Sequence, residues 1–517
     1  MKITLITPTP PDISAFGVRS LSAYLREQGH AVKLIFLPGG IDRLNVEGEY
    51  SYRYPQQIIN DILDICHDSE LIGLSFMTQY FDRARQITQA IKERYQCPVV
   101  WGGFHPTLCP TESLAFADYV IEGEGEIPLL NLIQYLQGTK AWLQVPNVWR
   151  LLDEKPQSSG HYYWLNDITV LPTFDFSLKN HYVIDIATRR VTALTEDLFY
   201  QILPKMPYFE GKYITVYRTM TSRGCPHQCS YCINRTLRQR FCQGTYLRRR
   251  DVQQVIEELS TTKKRYPGIE GIHFFDDSFF SNTLHYLESF CEIYQNDIKL
   301  PFYCQGSPEA ITSRKLDLLL EAGLVFCEMG IQTGSGEIAR LYRRTATNSQ
   351  IKSAITTIDH YRHRLLKPHY HVIVDNPWET LPDKIETVKL LLEIPHPFML
   401  CLASLTLFPG TELHEKALEE NIIKDPIKDV YRKAFYKPQP TYLNFIITLT
   451  DHYYLPKPLL KVMIKPAIIN LFQRHKLAGI WKFFLFFDQV LIMLGKGFQA
   501  IRFGNLWRIR QFLHKIQ

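Results

Sequence analysis

Cysteine is scarce, eleven residues in a chain of 517 and unevenly spaced, which excludes a disulfide-stapled scaffold. Glycine and proline, 27 and 30 residues, are too few for a collagen-like or low-complexity chain. No repeat of solenoid period occurs. The start of the sequence lacks the apolar stretch of a secretory leader: Lys2 to Ile6 is a short β-rich run broken by Pro8, Pro10 and Pro11, so a reducing, cytoplasmic setting is expected. Acidic residues almost vanish after residue 451, where eleven Lys and Arg face one acid, Asp488, a surplus of +10. The first 451 residues, with 47 basic against 51 acidic, carry −4, so all of the basic excess sits in the tail. What remains, 45% hydrophobic and 21% charged residues over 60.4 kDa, describes an ordinary folded protein with at least two cores.

Residues 1–140 alternate strand-like runs, Lys2 to Thr7, Ala31 to Leu37, Leu71 to Phe76, Pro98 to Trp101 and Tyr119 to Ile121, with helical patterns near 17–28, 81–95 and 126–137. Short buried strands between amphipathic helices predict βαβ units and a parallel, flavodoxin-like (Rossmann-type) sheet. Ligands of such sheets bind at the strands' carboxyl ends, near the topological switch. The loops expected there are Pro8 to Gly17, Ser75 to Gln79, Gly102 to Thr107 and Glu122 to Glu126. Residues 141–205 have poor periodicity and read as an extended linker. A second β/α series occupies 206–424, with strands near 213–218, 271–275, 301–304, 325–330, 369–374 and 400–406. Six units in that length predict a partial (β/α)6 barrel whose loops after each strand form the active face. Residues 425–517 read as a helical, basic and apolar C-terminal region. The α/β fold class thus rests on two successive parallel sheets.

Three of the eleven cysteines fall within eight residues, in Gly224-Cys225-Pro226-His227-Gln228-Cys229-Ser230-Tyr231-Cys232 after the first barrel strand. A C-x3-C-x2-C loop with Gly and Pro can turn three thiolates toward one point, and thiolates select iron–sulfur clusters or zinc. Three thiolates on a four-iron cluster leave one iron open. Zinc is the alternative, with Cys242 or His227 as fourth ligand, although no second C-x2-C pair stands nearby.

The loop resembles the cysteine motif of the radical SAM enzymes, and the domain before it is similar to the cobalamin-binding domain of one large subfamily. That subfamily includes anaerobic magnesium-protoporphyrin monomethyl ester cyclase-like enzymes and several carbon methylases. The resemblance covers roughly residues 1–420 and implies that Cys225, Cys229 and Cys232 ligate a 4Fe-4S cluster that chelates S-adenosylmethionine at its open iron. It further implies cofactor contacts for Tyr231, beside the last cysteine, and for Asp276 and Asp277, which follow the apolar run to Phe275. Asp277 has the alternative of capping the helix near 281. The resemblance implies cofactor contacts as well for Gln305, which follows the third strand, and for Gln332 and Ser335. Gln332 and Ser335 lie in Gly330-Ile331-Gln332-Thr333-Gly334-Ser335, where Gln332 and Thr333 replace the family's usual Glu and Ser. Gln can hydrogen-bond but cannot neutralise a charge. Asp375-Asn376-Pro377-Trp378-Glu379-Thr380 departs from the family pattern by losing both glycines, and Phe408-Pro409-Gly410-Thr411 matches its turn after the sixth strand.

For the cobalamin, Asp12-Ile13-Ser14-Ala15-Phe16-Gly17 resembles the Asp-x-His-x-x-Gly motif with Ser14 in place of the histidine, which implies no cobalt ligand from this loop. Gly102, Gly103 and Gly123 permit close backbone approach, while Ser75, His105 and Glu122 offer polar contacts at the same edge. A domain that has lost this ligand, or holds another, is the alternative, and His105 could equally pack inside its loop.

Leu477 to Leu494 barely reaches a membrane span and contains Lys482 and Asp488, which excludes a transmembrane helix. Aliphatic, aromatic and basic residues over 457–515 suggest amphipathic helices at a membrane surface, with packing against the barrel as the alternative, and no nucleic acid is expected. The resemblance implies an enzyme in which a 5′-deoxyadenosyl radical activates an unreactive carbon and methylcobalamin delivers a methyl group. A lipophilic small-molecule substrate and a flavodoxin or ferredoxin-type electron donor are expected. Oxidative cyclisation or rearrangement without methyl transfer is the enzymatic alternative; a non-catalytic cobalamin or iron–sulfur sensor is the alternative of another class.

Overall fold

The computed structural model describes residues 1–8, 13–37, 53–185, 187–452 and 455–473. The chain forms two compact units, one of Met1–Pro204, Tyr231–Gln254 and Leu407–Lys433, the other of Lys205–Ser230, Val255–Thr406 and Ala434–Gln517.

The first unit is built on β1 (Lys2–Thr7), β2 (Ala31–Phe36), β3 (Leu71–Ser75), β4 (Val99–Gly102) and β5 (Tyr119–Ile121), all parallel, in the order β5-β4-β3-β1-β2. Runs such as Ile3-Thr4-Leu5-Ile6 are buried throughout, as a parallel sheet covered on both faces requires. The helices Phe16–Glu27, Gln56–Cys66, Phe81–Arg94 and Glu126–Leu136 follow the strands. Gln56–Cys66 buries Ile58, Ile59, Ile62 and Leu63 as one apolar stripe. The order is flavodoxin-like, and its direction reverses between β1 and β3.

Residues 141–205, expected to form an extended connector, instead lengthen this sheet at both ends. β6 (Val148–Leu152) and β7 (Lys155–Ser158) form a hairpin antiparallel to β5. β8 (His181–Asp185) lies parallel to β2 and carries β9 (Arg190–Ala193) antiparallel to it, so the sheet has nine strands. The hairpin turn is Asp153-Glu154, with φ of 49° and 61°, the left-handed pair that a two-residue turn needs. It forms here without the Gly or Asn that would have announced it. Arg190 on β9 grips Asp61 of the helix Gln56–Cys66 through both carboxylate oxygens at 2.7–3.0 Å.

In the second unit a short strand, Lys205–Pro207, pairs antiparallel with the first barrel strand, Tyr213–Thr219. Gly271–Phe274, Phe302–Gly306, Leu324–Gln332, His369–Val374 and Met399–Ser404 then follow in chain order, each parallel to the one before. This is the six-stranded barrel sheet read from the sequence, with boundaries within two residues. In the fourth strand Cys327, Met329 and Ile331 are buried, while Glu328, Gly330 and Gln332 are only half-buried. That period of two assigns one face to the core under the helices and the other to the barrel lumen. Phe274, Phe279, Phe290, Tyr294 and Phe302 stack edge-on and face-on, with centroids 4.8–6.3 Å apart, an aromatic core that fixes the second and third strands.

After residue 425 the described residues hold no strand and include the helices Tyr442–Leu449, Lys457–Met463 and Pro466–Gln473. No helix among the described residues is long and apolar enough to cross a membrane. The stretch Leu477 to Leu494, and most of the basic tail, lie outside the described residues.

Candidate cofactor and active site

The first barrel strand ends at Thr219, and Gly224, at φ 92°, turns the chain into the cysteine loop as no residue with a Cβ readily would. Cys229 is buried, Cys225 and Cys232 are half-buried, and none of the eleven cysteines is in a disulfide. The loop is pinned at its root and its middle. At the root, buried Asp276 accepts hydrogen bonds from Thr221 N and Oγ1 and from Ser222 Oγ at 2.5–3.1 Å. In the middle, Ser230 donates through N and Oγ to the carbonyls of Tyr342 and Leu341. Burial raises the Asp276 carboxyl above its ordinary range against the pull of those donors from Ser222 and Thr221. The boundary between the two units falls inside the loop, after Ser230. Beyond it, Asn234 Nδ2 lies 3.7 Å from Cys232 Sγ, and Asn234 is held by the Tyr246 hydroxyl at 2.7 Å.

Three soft thiols, none in a disulfide, on one short, anchored loop are the donor set an iron–sulfur cluster takes. Of the residues considered as a fourth zinc ligand, His227 faces Glu309 at 3.4 Å and the Cys242 thiol donates to the Gly244 carbonyl.

At the barrel strand ends the expected cofactor residues divide. Just past the second barrel strand, which ends at Phe274, Asp277 is exposed while its neighbour Asp276 is wholly buried and held by Thr221 and Ser222. The cap of the following helix, Leu284–Asp297, is Thr283 and not Asp277. Gln305 Nε2 donates to the Asp276 carbonyl at 2.8 Å. Ser335 is buried as the N-cap of Gly336–Leu341, accepting from Ile338 N and donating to Asp383. Gln332 is half-buried at φ 68°, a left-handed backbone that costs a residue with a side chain of order 1–2 kcal/mol. Asp276, Gln305 and Ser335 thus brace the loops, and Asp277 and Gln332 stand at their open ends.

The sequence reading missed a polar cluster in the barrel lumen. His371 Nε2 lies 2.9 Å and His369 Nδ1 3.8 Å from the Glu328 carboxylate, brought together because Glu328 and His369 are register partners on adjacent strands. Burial would raise the Glu328 carboxyl, but the hydrogen bond from His371 and the positive potential of His371, His369 and His273 hold it below its ordinary range. Burial lowers His369 to about 4. The available signal was a carboxylate inside an otherwise apolar run, with His-x-His on the next strand. Glu379, on the turn after the fifth strand, is pushed up to about 7 by burial.

At the carboxyl edge of the first sheet, Asp12 lies outside the described residues. Ser75 is half-buried. Gly17 and Gly102 have no atom of the described residues within 4 Å of where a Cβ would stand, an open edge of the kind a large flat ligand needs. Gly103, at φ 93°, packs so close that a Cβ would lie 2.7 Å from the backbone N and O of Phe76. His105 is fully buried beneath this loop, against the rings of Phe76, Phe81 and Tyr431 at 4.9–5.6 Å, and burial lowers it to about 4. Glu122 is also fully buried, with Oε1 3.3 Å from Arg240 and Oε2 lacking a hydrogen-bond partner. Gly123, at φ 75°, donates its N–H to Thr107 Oγ1 at 3.0 Å. The open glycine edge fits a bulky cofactor.

A doubly wound domain with a bare strand edge and an open six-stranded barrel with three thiols after its first strand define a cobalamin-type, cluster-bearing enzyme fold. Residues 3–133 match the B12 binding domain and residues 219–391 the Radical SAM superfamily. The chain belongs to the cobalamin-binding radical SAM enzymes, whose cofactors are cobalamin, a 4Fe-4S cluster and S-adenosylmethionine. It is 23% identical over 440 residues to an uncharacterized methyltransferase of Pyrococcus horikoshii, covering 82% of this chain and 84% of the relative. It is 24% identical over 386 residues to the anaerobic magnesium-protoporphyrin IX monomethyl ester cyclase of Synechocystis, 71% of this chain and 67% of that one. In fold it is similar to the radical S-adenosylmethionine methyltransferase TsrM from Kitasatospora setae, solved with cobalamin and a 4Fe-4S cluster bound. The TM-score is 0.60 at 15% identity, over 81% of this chain and 75% of that one.

Proposed function

We propose that this enzyme transfers a methyl group to an unactivated carbon of a small, largely lipophilic molecule that carries one polar group. The observation that carries this reading is the pairing of a B12 binding domain with a radical SAM barrel in one chain, supported by relatives named as methyltransferases. When bound, the three cofactors supply one-electron cleavage of S-adenosylmethionine, hydrogen abstraction from carbon and a transferable methyl group.

The chain's own residues do the rest. Cys225, Cys229 and Cys232 hold the cluster, and Asp276, Thr221 and Ser222 fix the root of their loop. Asp277 and Gln332 orient S-adenosylmethionine through its amine and hydroxyl groups. In the lumen, Glu328 and His371 bind the polar group of the substrate and hold its proton, while the apolar remainder lies against neighbouring strands. Electrons come from a flavodoxin or ferredoxin-type donor in a reducing cytoplasm, a setting that eleven cysteines without a disulfide suit. The basic tail adds contact with a membrane surface that presents the substrate.

Oxidative cyclisation without methyl transfer is the second reading, favoured by the likeness to the Synechocystis cyclase. The test is anaerobic turnover with S-adenosylmethionine labelled in its methyl group. Label in the product together with 5′-deoxyadenosine supports methyl transfer, and 5′-deoxyadenosine with an unlabelled, oxidised product supports cyclisation. Failure of the reduced, reconstituted enzyme to form 5′-deoxyadenosine would return the chain to a sensor role. The Cys225→Ala, Cys229→Ala, Cys232→Ala variant is expected to bind less than one iron per chain and to form none.

A further inference from the structure

The loop after β4 contains a side-chain cluster that neither the cluster nor the cobalamin explains. His105, Cys109 and Glu112 stand at positions i, i+4 and i+7 across two short helical turns, Phe104–Leu108 and Pro110–Ser113. One ligating atom from each lies within 4.8 Å of the other two. The His105 side chain is wholly buried, yet neither Nδ1 nor Nε2 has a hydrogen-bond partner. Nε2 stops 3.6 Å from Glu112 Oε2, too far for a hydrogen bond.

A buried imidazole with both nitrogens unpaired is costly and uncommon, since buried polar groups nearly always find a partner. Around it the ring contacts of Phe76, Phe81 and Tyr431 form a dry wall. The Tyr431 hydroxyl donates to Glu112 Oε2 at 2.6 Å and so orients the carboxylate, as outer partners of metal ligands do. Glu112 is partly exposed, which gives an ion a way in.

We propose that His105, Cys109 and Glu112 bind one zinc ion, separate from the iron–sulfur cluster. One imidazole nitrogen, one thiolate sulfur and one carboxylate oxygen form a donor set that zinc accepts in tetrahedral geometry, with water in the fourth position. On binding, the Cys109 S–H bond breaks, its proton passes to solvent, and a zinc–sulfur bond replaces it. The ion supplies the missing partner of His105. It also locks the loop that begins with Gly102 and Gly103, so its role is to position the carboxyl edge of β4.

The test uses the full chain, reconstituted anaerobically with its cluster, equilibrated with one equivalent of zinc and desalted. About one zinc per chain is expected to remain, with an X-ray absorption spectrum showing a single sulfur near about 2.3 Å and nitrogen or oxygen near about 2.0–2.1 Å. Cys109→Ser and His105→Phe, the second chosen to keep a ring in the aromatic wall, are each expected to weaken zinc binding at least tenfold. Unchanged iron content and far-ultraviolet circular dichroism would show that both variants remain folded. Zinc is also expected to raise the melting temperature of the wild type and not of Cys109→Ser. No retained zinc, retention unaltered in both folded variants, or a spectrum with three sulfurs, the mark of zinc in the Cys225–Cys232 loop, would each overturn the proposal.

Discussion

Both sheets carry polar side chains among their parallel strands, and they treat them differently. In the nine-stranded sheet His105 and Glu122 follow β4 and β5 but are fully buried, so they shape the loops from beneath. In the barrel, Glu328 and His371 keep about 20% and 37% of their side-chain surface open, and Asp277 projects beyond its strand. Asp276 belongs in character to the first group although it sits in the second sheet, because Thr221 and Ser222 take up its carboxylate. The lesson is that placement near a strand end does not make a ligand contact. What matters is whether the group is closed off beneath its loop or still open to the surface it would serve.

The difference can be challenged by substitution. Asp276→Ala would strand two donors of Thr221 and one of Ser222 in a buried site, with an expected loss of about 3–4 kcal/mol in unfolding free energy and of most bound iron. Asp277→Ala should leave stability within about 0.5 kcal/mol and weaken S-adenosylmethionine binding instead. Denaturant unfolding and iron analysis of the pair measure both, and equal destabilisation would erase the distinction between them. Gly103→Ala, which forces a Cβ onto the Phe76 backbone at a positive φ, should lose about 2–3 kcal/mol. Gly102→Ala, with open space at its Cβ, should cost under about 1 kcal/mol while lowering cobalamin uptake, read by absorbance after reconstitution.

Glu328→Gln keeps the shape of the lumen and removes the charge. Turnover should fall at least tenfold, about 1.4 kcal/mol of barrier, with the melting temperature nearly unchanged; a large drop in melting temperature would make Glu328 a structural group. A pH-dependent effect concerns Glu379, whose folded-state value of about 7 lies above the ordinary 4.5. The folded protein therefore holds this proton more tightly than the unfolded chain does. Its contribution is present below pH 4.5 and is lost as pH rises toward 7. Partial solvent access reduces the amount to about 1–2 kcal/mol, and Glu379→Gln should flatten that part of the stability–pH curve.

Much of this architecture was legible in the sequence. Leu71–Ser75 and Leu324–Gln332 read as buried parallel strands because their apolar runs are long and bounded by turns. The edge strands of 141–205 were not legible: Lys155-Pro156-Gln157-Ser158 carries no apolar alternation, and Asp153-Glu154 turns without glycine. Within the site, the cysteine spacing and the Gly102-Gly103 pair were readable. The division of labour between Asp276 and Asp277 was not, because it depends on Thr221 and Ser222, which the fold brings to Asp276 from 55 and 54 residues away. Ser335 was equally opaque, since the same Gly-Ser turn serves a ligand or a helix cap. Glu328 and His371 are 43 residues apart in sequence and meet only through strand register.

The hairpin that ends the first sheet has a consequence for solubility. A parallel sheet with a bare last strand offers unpaired backbone groups to any extended chain it meets, an invitation to aggregate. Here the outermost strand, β7, begins with Lys155 and Pro156; the proline has no N–H to offer, and the lysine brings a charge to the rim. The opposite rim, β9, begins with Arg190, whose guanidinium is held by Asp61. Both borders of the sheet are thus poor templates for a foreign strand, which protects an enzyme that must wait, folded and open-edged, for a large cofactor to arrive.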